Sequence, residues 1–245
     1  MKNKFIIKLF GLIRWSLLRH KVMLPSFSAL QVVLAIALVY GMSLIIPEVN
    51  EESAIYLSSG AITLGIIAVG CVLAPQIVGG TKQNGIFKFQ RTLPVSRVAI
   101  LVSDVIIWTI ASIPGIIVGI IATVYRFDLT VNVSFLNILI IILLQVIMIS
   151  IGFALAYWLS PNLMILVTQL IMFGALLFSP ITYPASRLPE WINSIYEFLP
   201  FVPTSNLIRT LVYDYGSFDL KNLIVVLIWG VLATILAIYA LSRKD

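Results

Sequence analysis

Charge is scarce in this sequence. Only 11% of its 245 residues are charged, 60% are hydrophobic, and the mean hydropathy is +1.08. Soluble domains carry about 25% charge, so this chain has too little to cover a water-facing surface. The same composition excludes disorder, collagen-like repeats and coiled coils. Cysteine occurs once, Cys71 inside an apolar stretch, which excludes a disulfide framework and a cysteine metal cluster. Histidine also occurs once, His20, which leaves little for histidine-dependent catalysis and argues against a metal site. No glycine is followed by lysine, so no Gly-x-x-x-x-Gly-Lys-Ser/Thr phosphate loop exists. His-Glu-x-x-His and Gly-x-Ser-x-Gly are absent as well. What remains is an all-α polytopic membrane protein.

Six apolar stretches are long enough to matter, taking roughly 20 residues per helical crossing. They cover 24–46, 54–78, 98–124, 133–159, 163–178 and 223–241, and within them the only charged residue is Asp104. The fifth is the shortest and ends at Ser179-Pro180, where proline stops a helix. The N-terminal arm, the second connection and the C-terminal tail hold twelve of the sixteen Lys and Arg. Acids gather instead in the first connection (Glu48, Glu51, Glu52) and in the segment between the fifth and sixth stretches (Glu190, Glu197, Asp214, Asp219). The positive-inside rule then predicts cytoplasmic termini. The net charge of +6 needs no nucleic acid to explain it, because anionic lipid attracts the cations where they stand. The basic N-terminal region and the long stretch after it exceed the dimensions of a cleaved signal, so retention is expected.

Within residues 1–23, Phe5, Ile6, Leu9, Phe10, Ile13 and Leu17 recur at helical spacing, with Lys4, Lys8 and Arg14 off that stripe. The pattern predicts an amphipathic interfacial helix: either a juxtamembrane anchor or a lever that also touches a cytoplasmic partner. Asp104 lies about two turns into the third span, with Arg97 expected as its ion partner; a substrate or coupling role is the alternative. Gly115 and Gly119, after Pro114, suit close helix packing. Polar residues suited to a substrate path include Ser59 and Thr63, which share a helix face, and Thr168 and Gln169.

The second connection, 79–97, predicts a short helix from Gly85 to Leu93, stopped before Pro94. Ile86, Phe89 and Leu93 share one face, and Lys88 and Arg91 lie elsewhere. This suits either a docking element for a soluble subunit or an interfacial helix without a partner. After the fifth span come Ser179-Pro180, Leu188-Pro189-Glu190-Trp191, Pro200, Pro203 and Leu207-Ile208-Arg209. They predict two short helices within a partly inserted segment, 180–220, the first capped by Ser186 and the second starting at Thr204 or Ser205. Trp191, Tyr183, Tyr196, Tyr213 and Tyr215 suit an aromatic belt.

Two of these segments resemble type-2 ABC-transporter permeases. Asn84-Gly85 … Leu93-Pro94-Val95-Ser96-Arg97 is similar to the family's Glu-Arg-Gly-Thr … Leu-x-x-x-Pro-x-Ser-Arg, with Asn84 for the acid and Ser103-Asp104 for a following Gly-Lys. The Leu-Pro-x-Trp, the later proline and the Arg after an apolar pair match more closely, and the resemblance spans essentially the whole chain. It implies a type V-like exporter fold: interfacial helix, six transmembrane helices, cytoplasmic coupling helix and extracytoplasmic re-entrant helices. Gly85, Ile86, Phe87, Lys88, Phe89, Arg91, Leu93 and Pro94 would form the coupling element. Leu177, Phe178 and Pro180 would form an outward gate, with sealing of the bilayer boundary as the other role. The resemblance further implies two permease subunits, a homodimer or a pair of related chains. Two ATP-binding subunits would bind ATP and Mg, so this chain needs no ATPase site or cofactor of its own. An antibiotic, antimicrobial peptide or lipid-like substrate crossing a bacterial cell membrane is then expected. An ion-coupled secondary transporter or channel is the alternative; it calls for buried charge within the spans, or an inverted repeat.

Overall fold

The computed structural model describes residues 2–45, 50–83 and 92–242. Six of its helices are long and apolar enough to cross a membrane, and the described residues contain no strand. The first span is Met23–Ile45. The second begins at Glu51, passes through a π-helical turn at Ala68–Leu73 and ends at Gln83. The third is Arg97–Phe127 and the fourth Phe135–Trp158. The fifth runs from Pro161 to Phe178, its last turn π-helical from Gly174, and the sixth is Leu220–Ser242.

The local chemistry explains the boundaries. Asn50 caps the second span, its Oδ1 accepting from Ser53 N at 2.8 Å, and Glu51 and Glu52 complement the positive end of the helix dipole. Ser96 caps the third span by accepting from Ala99 N at 3.2 Å. Asp128 closes that helix in a left-handed conformation, φ 53°. Pro161 occupies the start of the fifth span, where its missing N–H costs nothing. Pro114 sits inside the third span, and Ser28 Oγ of the first span donates to Ala111 O at 2.9 Å beside the break.

The second span is the axis of the bundle, with 78% of its apolar window buried. Its π-turn crosses the fourth span through two glycines. A Cβ on Gly70 would lie 2.6 Å from Met148 C and Cβ, and one on Gly152 would run into the Gly70 carbonyl. Gly115 takes Gln31 of the first span in the same manner, a Cβ there meeting Gln31 Oε1 at 2.7 Å. Close backbone approach is how apolar helices gain packing where lipid offers no hydrophobic drive. The fifth span is the least enclosed, with 17% of its window buried.

The N-terminal helix, Lys2–His20, packs on the start of the third span. Its buried face is Leu12, Ser16 and His20, whereas Phe10 and Leu17, from the apolar stripe, are exposed. Two short helices, Glu190–Phe198 and Phe201–Tyr213, sit at the other end of the bundle, the latter packed on the second span and the sixth. The first of them begins one residue after Pro189; Ser186 is not its cap but belongs to a 3-10 turn, Ala185–Arg187. The second starts at Phe201, before Thr204. Pro203 fits in its first turn, where no intrahelical N–H bond is needed.

Candidate functional site

At the end of the bundle near the termini, the N-terminal helix is latched to the third span. Lys8 Nζ donates to Pro94 O at 2.7 Å, and Leu12 packs with Ala99 and Ile100, flanked by Leu93 and Val95. Asp104, buried, accepts from Ser16 Oγ at 2.7 Å and pairs with Arg19 Nη2 at 3.3 Å. The expected partner, Arg97, is not the one used: seven residues separate it from Asp104, about 10 Å along the axis. Trp15 lies beneath the Arg19 guanidinium at 4.6 Å, and His20 tilts against Trp108 at 5.5 Å. Burial, with Arg19 adding to it, pulls the His20 imidazole down to about 4, so it is neutral near pH 7.

Leu93 and Pro94 of the second connection are therefore part of the seat for the N-terminal helix. Leu93 lies in a bend rather than a helix, Val95 N donating to Leu93 O at 2.8 Å. Gly85, Ile86, Phe87, Lys88, Phe89 and Arg91 lie outside the described residues.

The other end is organised by Arg209, a residue that sequence patterning marked only as part of a motif. Its Nε donates to Ser59 Oγ at 3.2 Å, Nη1 to Asn206 Oδ1 at 2.9 Å, and Nη2 to Ile181 O at 3.0 Å and Ser205 Oγ at 3.2 Å. The Tyr56 ring lies 3.7 Å from the guanidinium carbon, within cation–π range. Desolvation lowers the guanidinium to about 10, which leaves it charged at neutral pH. One side chain thus ties the second span, the segment after the fifth and the second short helix together. A lone cation among apolar residues of a membrane protein is the signal that marks such a node. Gly60 completes it: a Cβ there would lie 2.6 Å from Thr182 Cγ2.

Leu177 and Phe178 are exposed, and Pro180 is buried. The two exposed residues border an apolar groove of about 430 Å³, with Tyr183, Trp191, Ile195 and Tyr196 opposite. Ser59 and Thr63 are fully buried; Thr63 Oγ1 donates to Ser59 O at 2.7 Å. Thr168 accepts from Gln76 Nε2 at 3.0 Å. Gln76 follows Ser59 by 17 residues, about 25 Å along the helix, so within one chain the two polar pairs lie at different depths. Gln169 is exposed midway along the fifth span, with no hydrogen-bond partner among the described residues. Nor do those residues hold a cluster of three metal-binding side chains.

The ABC-2 type transporter family, in the form of its membrane-domain model, matches residues 13–213. No curated protein matches the chain significantly.

Proposed function

The chain belongs to the ABC-2 type transporter family and is a permease subunit of that class, and from this premise we propose that it is half of an ATP-driven exporter. In this reading two copies, or this chain and a related one, face each other across a path for an amphiphilic substrate such as an antibiotic, an antimicrobial peptide or a lipid-like molecule. The ATP-binding subunits supply ATP, Mg and hydrolysis; this chain contributes no ATPase site. The termini face the cytoplasm of a bacterial cell, as the distribution of Lys and Arg favours.

The observation that carries the dimeric path is Gln169. A free amide halfway along a span faces hydrocarbon unless protein or water covers it, and each unsatisfied polar group there costs several kcal/mol, roughly. Around it Leu163, Leu166, Leu170, Phe173 and Leu177 are all exposed, at alternating spacings of three and four. That spacing suits the seam of a helix pair. A second subunit along this seam covers Gln169, and Leu177 and Phe178 at its end make the outward gate.

Energy enters through the second connection. Phe87 and Phe89 would seat in an ATP-binding subunit, and Leu93 and Pro94 would pass the motion to the N-terminal helix and the third span. Asp104 supports this reading over ion coupling, because it is engaged by Arg19 and Ser16 rather than open to a path. The test is transport by the purified complex in sealed vesicles, together with disulfide cross-linking of Gln169→Cys between chains. ATP-dependent efflux with cross-linked dimers is expected. Efflux under an ion gradient without nucleotide, or cysteines that never cross-link, would contradict it.

A further inference from the structure

The half of the third span away from the termini presents two cavities that meet at one residue. The first is an apolar groove of about 590 Å³ between the third and fourth spans, walled by Ile113, Ile117 and Ile121 on one side, Ile138 and Ile142 on the other, with Val131 at the end. Its volume lies within the usual range of ligand sites, about 300–1,000 Å³. Its wall runs from Ile113 to Val124, about 16 Å of helix. That matches one leaflet, half of a hydrocarbon core about 30 Å thick. The second is a polar cavity of about 800 Å³ formed where the first, second and third spans end, lined by Ser43, Asn50, Glu51, Arg126, Asp128 and Thr130. Tyr125 borders both.

The polar cavity is charged in a particular manner. Arg126 is exposed, its Nε donating to Ser43 Oγ at 3.1 Å, and no acid among the described residues forms an ion pair with it. Glu51 and Asp128 line the same cavity, and neither is in an ion pair with another described residue. The left-handed turn at Asp128 brings an acid to the rim two residues after the cation at Arg126. Among the described residues, one cation and two acids above an apolar groove one leaflet long complement a molecule with a phosphate, an ammonium and an acyl chain.

We propose that this composite cavity holds a single phospholipid of the ethanolamine type from the leaflet away from the termini. Its acyl chain lies along Ile113–Val124, its phosphate meets the Arg126 guanidinium, and its primary ammonium donates to Glu51 and Asp128. A primary ammonium has three donors for these carboxylates, which a quaternary choline lacks; an anionic glycerol headgroup meets the two acids with repulsion. The site stands apart from the exposed seam of the fifth span and does not depend on what the protein transports.

The experiment places the purified full chain, together with any subunit that accompanies it, in bilayer discs holding equal amounts of ethanolamine, choline and glycerol phospholipids. Lipid retained after mild detergent extraction is counted by native mass spectrometry. One ethanolamine lipid per chain is expected, and Arg126→Gln should lower that retention about tenfold, the worth of one charge-assisted hydrogen bond. Ile117→Trp, at a lipid-exposed position, fills the groove without touching the polar cavity and should reduce retention of every headgroup. Asp128→Asn, which the left-handed turn tolerates, should remove the preference over choline, and it reads the site even where Arg126→Gln fails to fold. Retention in proportion to supply, a preference for the choline or glycerol lipid, or retention unchanged in all three variants overturns the proposal.

Discussion

Replacing Arg209 tests the architecture at its most connected residue. Arg209→Met keeps the volume and removes four hydrogen bonds and a ring contact. Charge-assisted bonds contribute about 1.5–3 kcal/mol each when deleted singly, but they do not add here. Ser205 Oγ still donates to Ile181 O at 3.3 Å, Ser59 Oγ still donates to Tyr56 O at 3.2 Å, and the desolvation cost of the cation disappears with it. A net loss of about 2–3 kcal/mol remains, equivalent to roughly 5–10 °C in melting temperature for a chain of this size. Arg209→Lys should be no better, since a single ammonium cannot span acceptors on three segments and is harder to desolvate. Thermal unfolding in detergent measures the loss, and limited proteolysis should cut first between Tyr183 and Pro200. Both variants melting with the wild type would refute the assignment of Arg209 as the tie between these elements.

Three further outcomes follow from the packing. Gly152→Ala forces a Cβ into the Gly70 carbonyl and should cost about 1–3 kcal/mol as overpacking, whereas Gly174→Ala, with nothing within 4 Å, should be neutral; differential melting compares them. Asp104→Asn leaves the partly buried Arg19 without its carboxylate. A loss of about 1–3 kcal/mol should expose the N-terminal helix to trypsin near Arg14, Arg19 and Lys21. His20 binds its proton less readily folded than unfolded, about 4 against 6.5. The unfolded state therefore holds more protons in that window, and the contact of the N-terminal helix weakens as pH falls from 6.5 toward 4. Protection of Leu12–His20 against hydrogen exchange, taken relative to the intrinsic rate at each pH, should fall across that range in the wild type and lose this step in His20→Gln.

The spans were legible because hydrophobicity over twenty residues is a one-dimensional signal. Distribution of Lys and Arg, and the prolines after the fifth span, are equally readable. Register is not. The apolar stripe of the N-terminal helix foretold a face, yet the face against the protein is Leu12, Ser16 and His20, one that holds the two polar residues the bundle satisfies. Asp104 takes Arg19, 85 residues away, because two helices meet there; local spacing offers only Arg97. The π-turns at Ala68–Leu73 and Gly174–Phe178 also leave no pattern in sequence. The first arises where Gly70 meets Gly152, a contact between distant residues. Arg209 was visible as a cation in an apolar segment, but its acceptors come from three separate stretches.

The most direct test of the permease assignment is co-purification from the native membrane in mild detergent, with ATP hydrolysis measured on the isolated complex. The account predicts a stoichiometric soluble ATPase, released when Phe87-Lys88-Phe89 is replaced by three alanines while the melting temperature of the chain is unchanged. A chain that purifies without any ATPase, yet moves solute under an ion gradient, would contradict it.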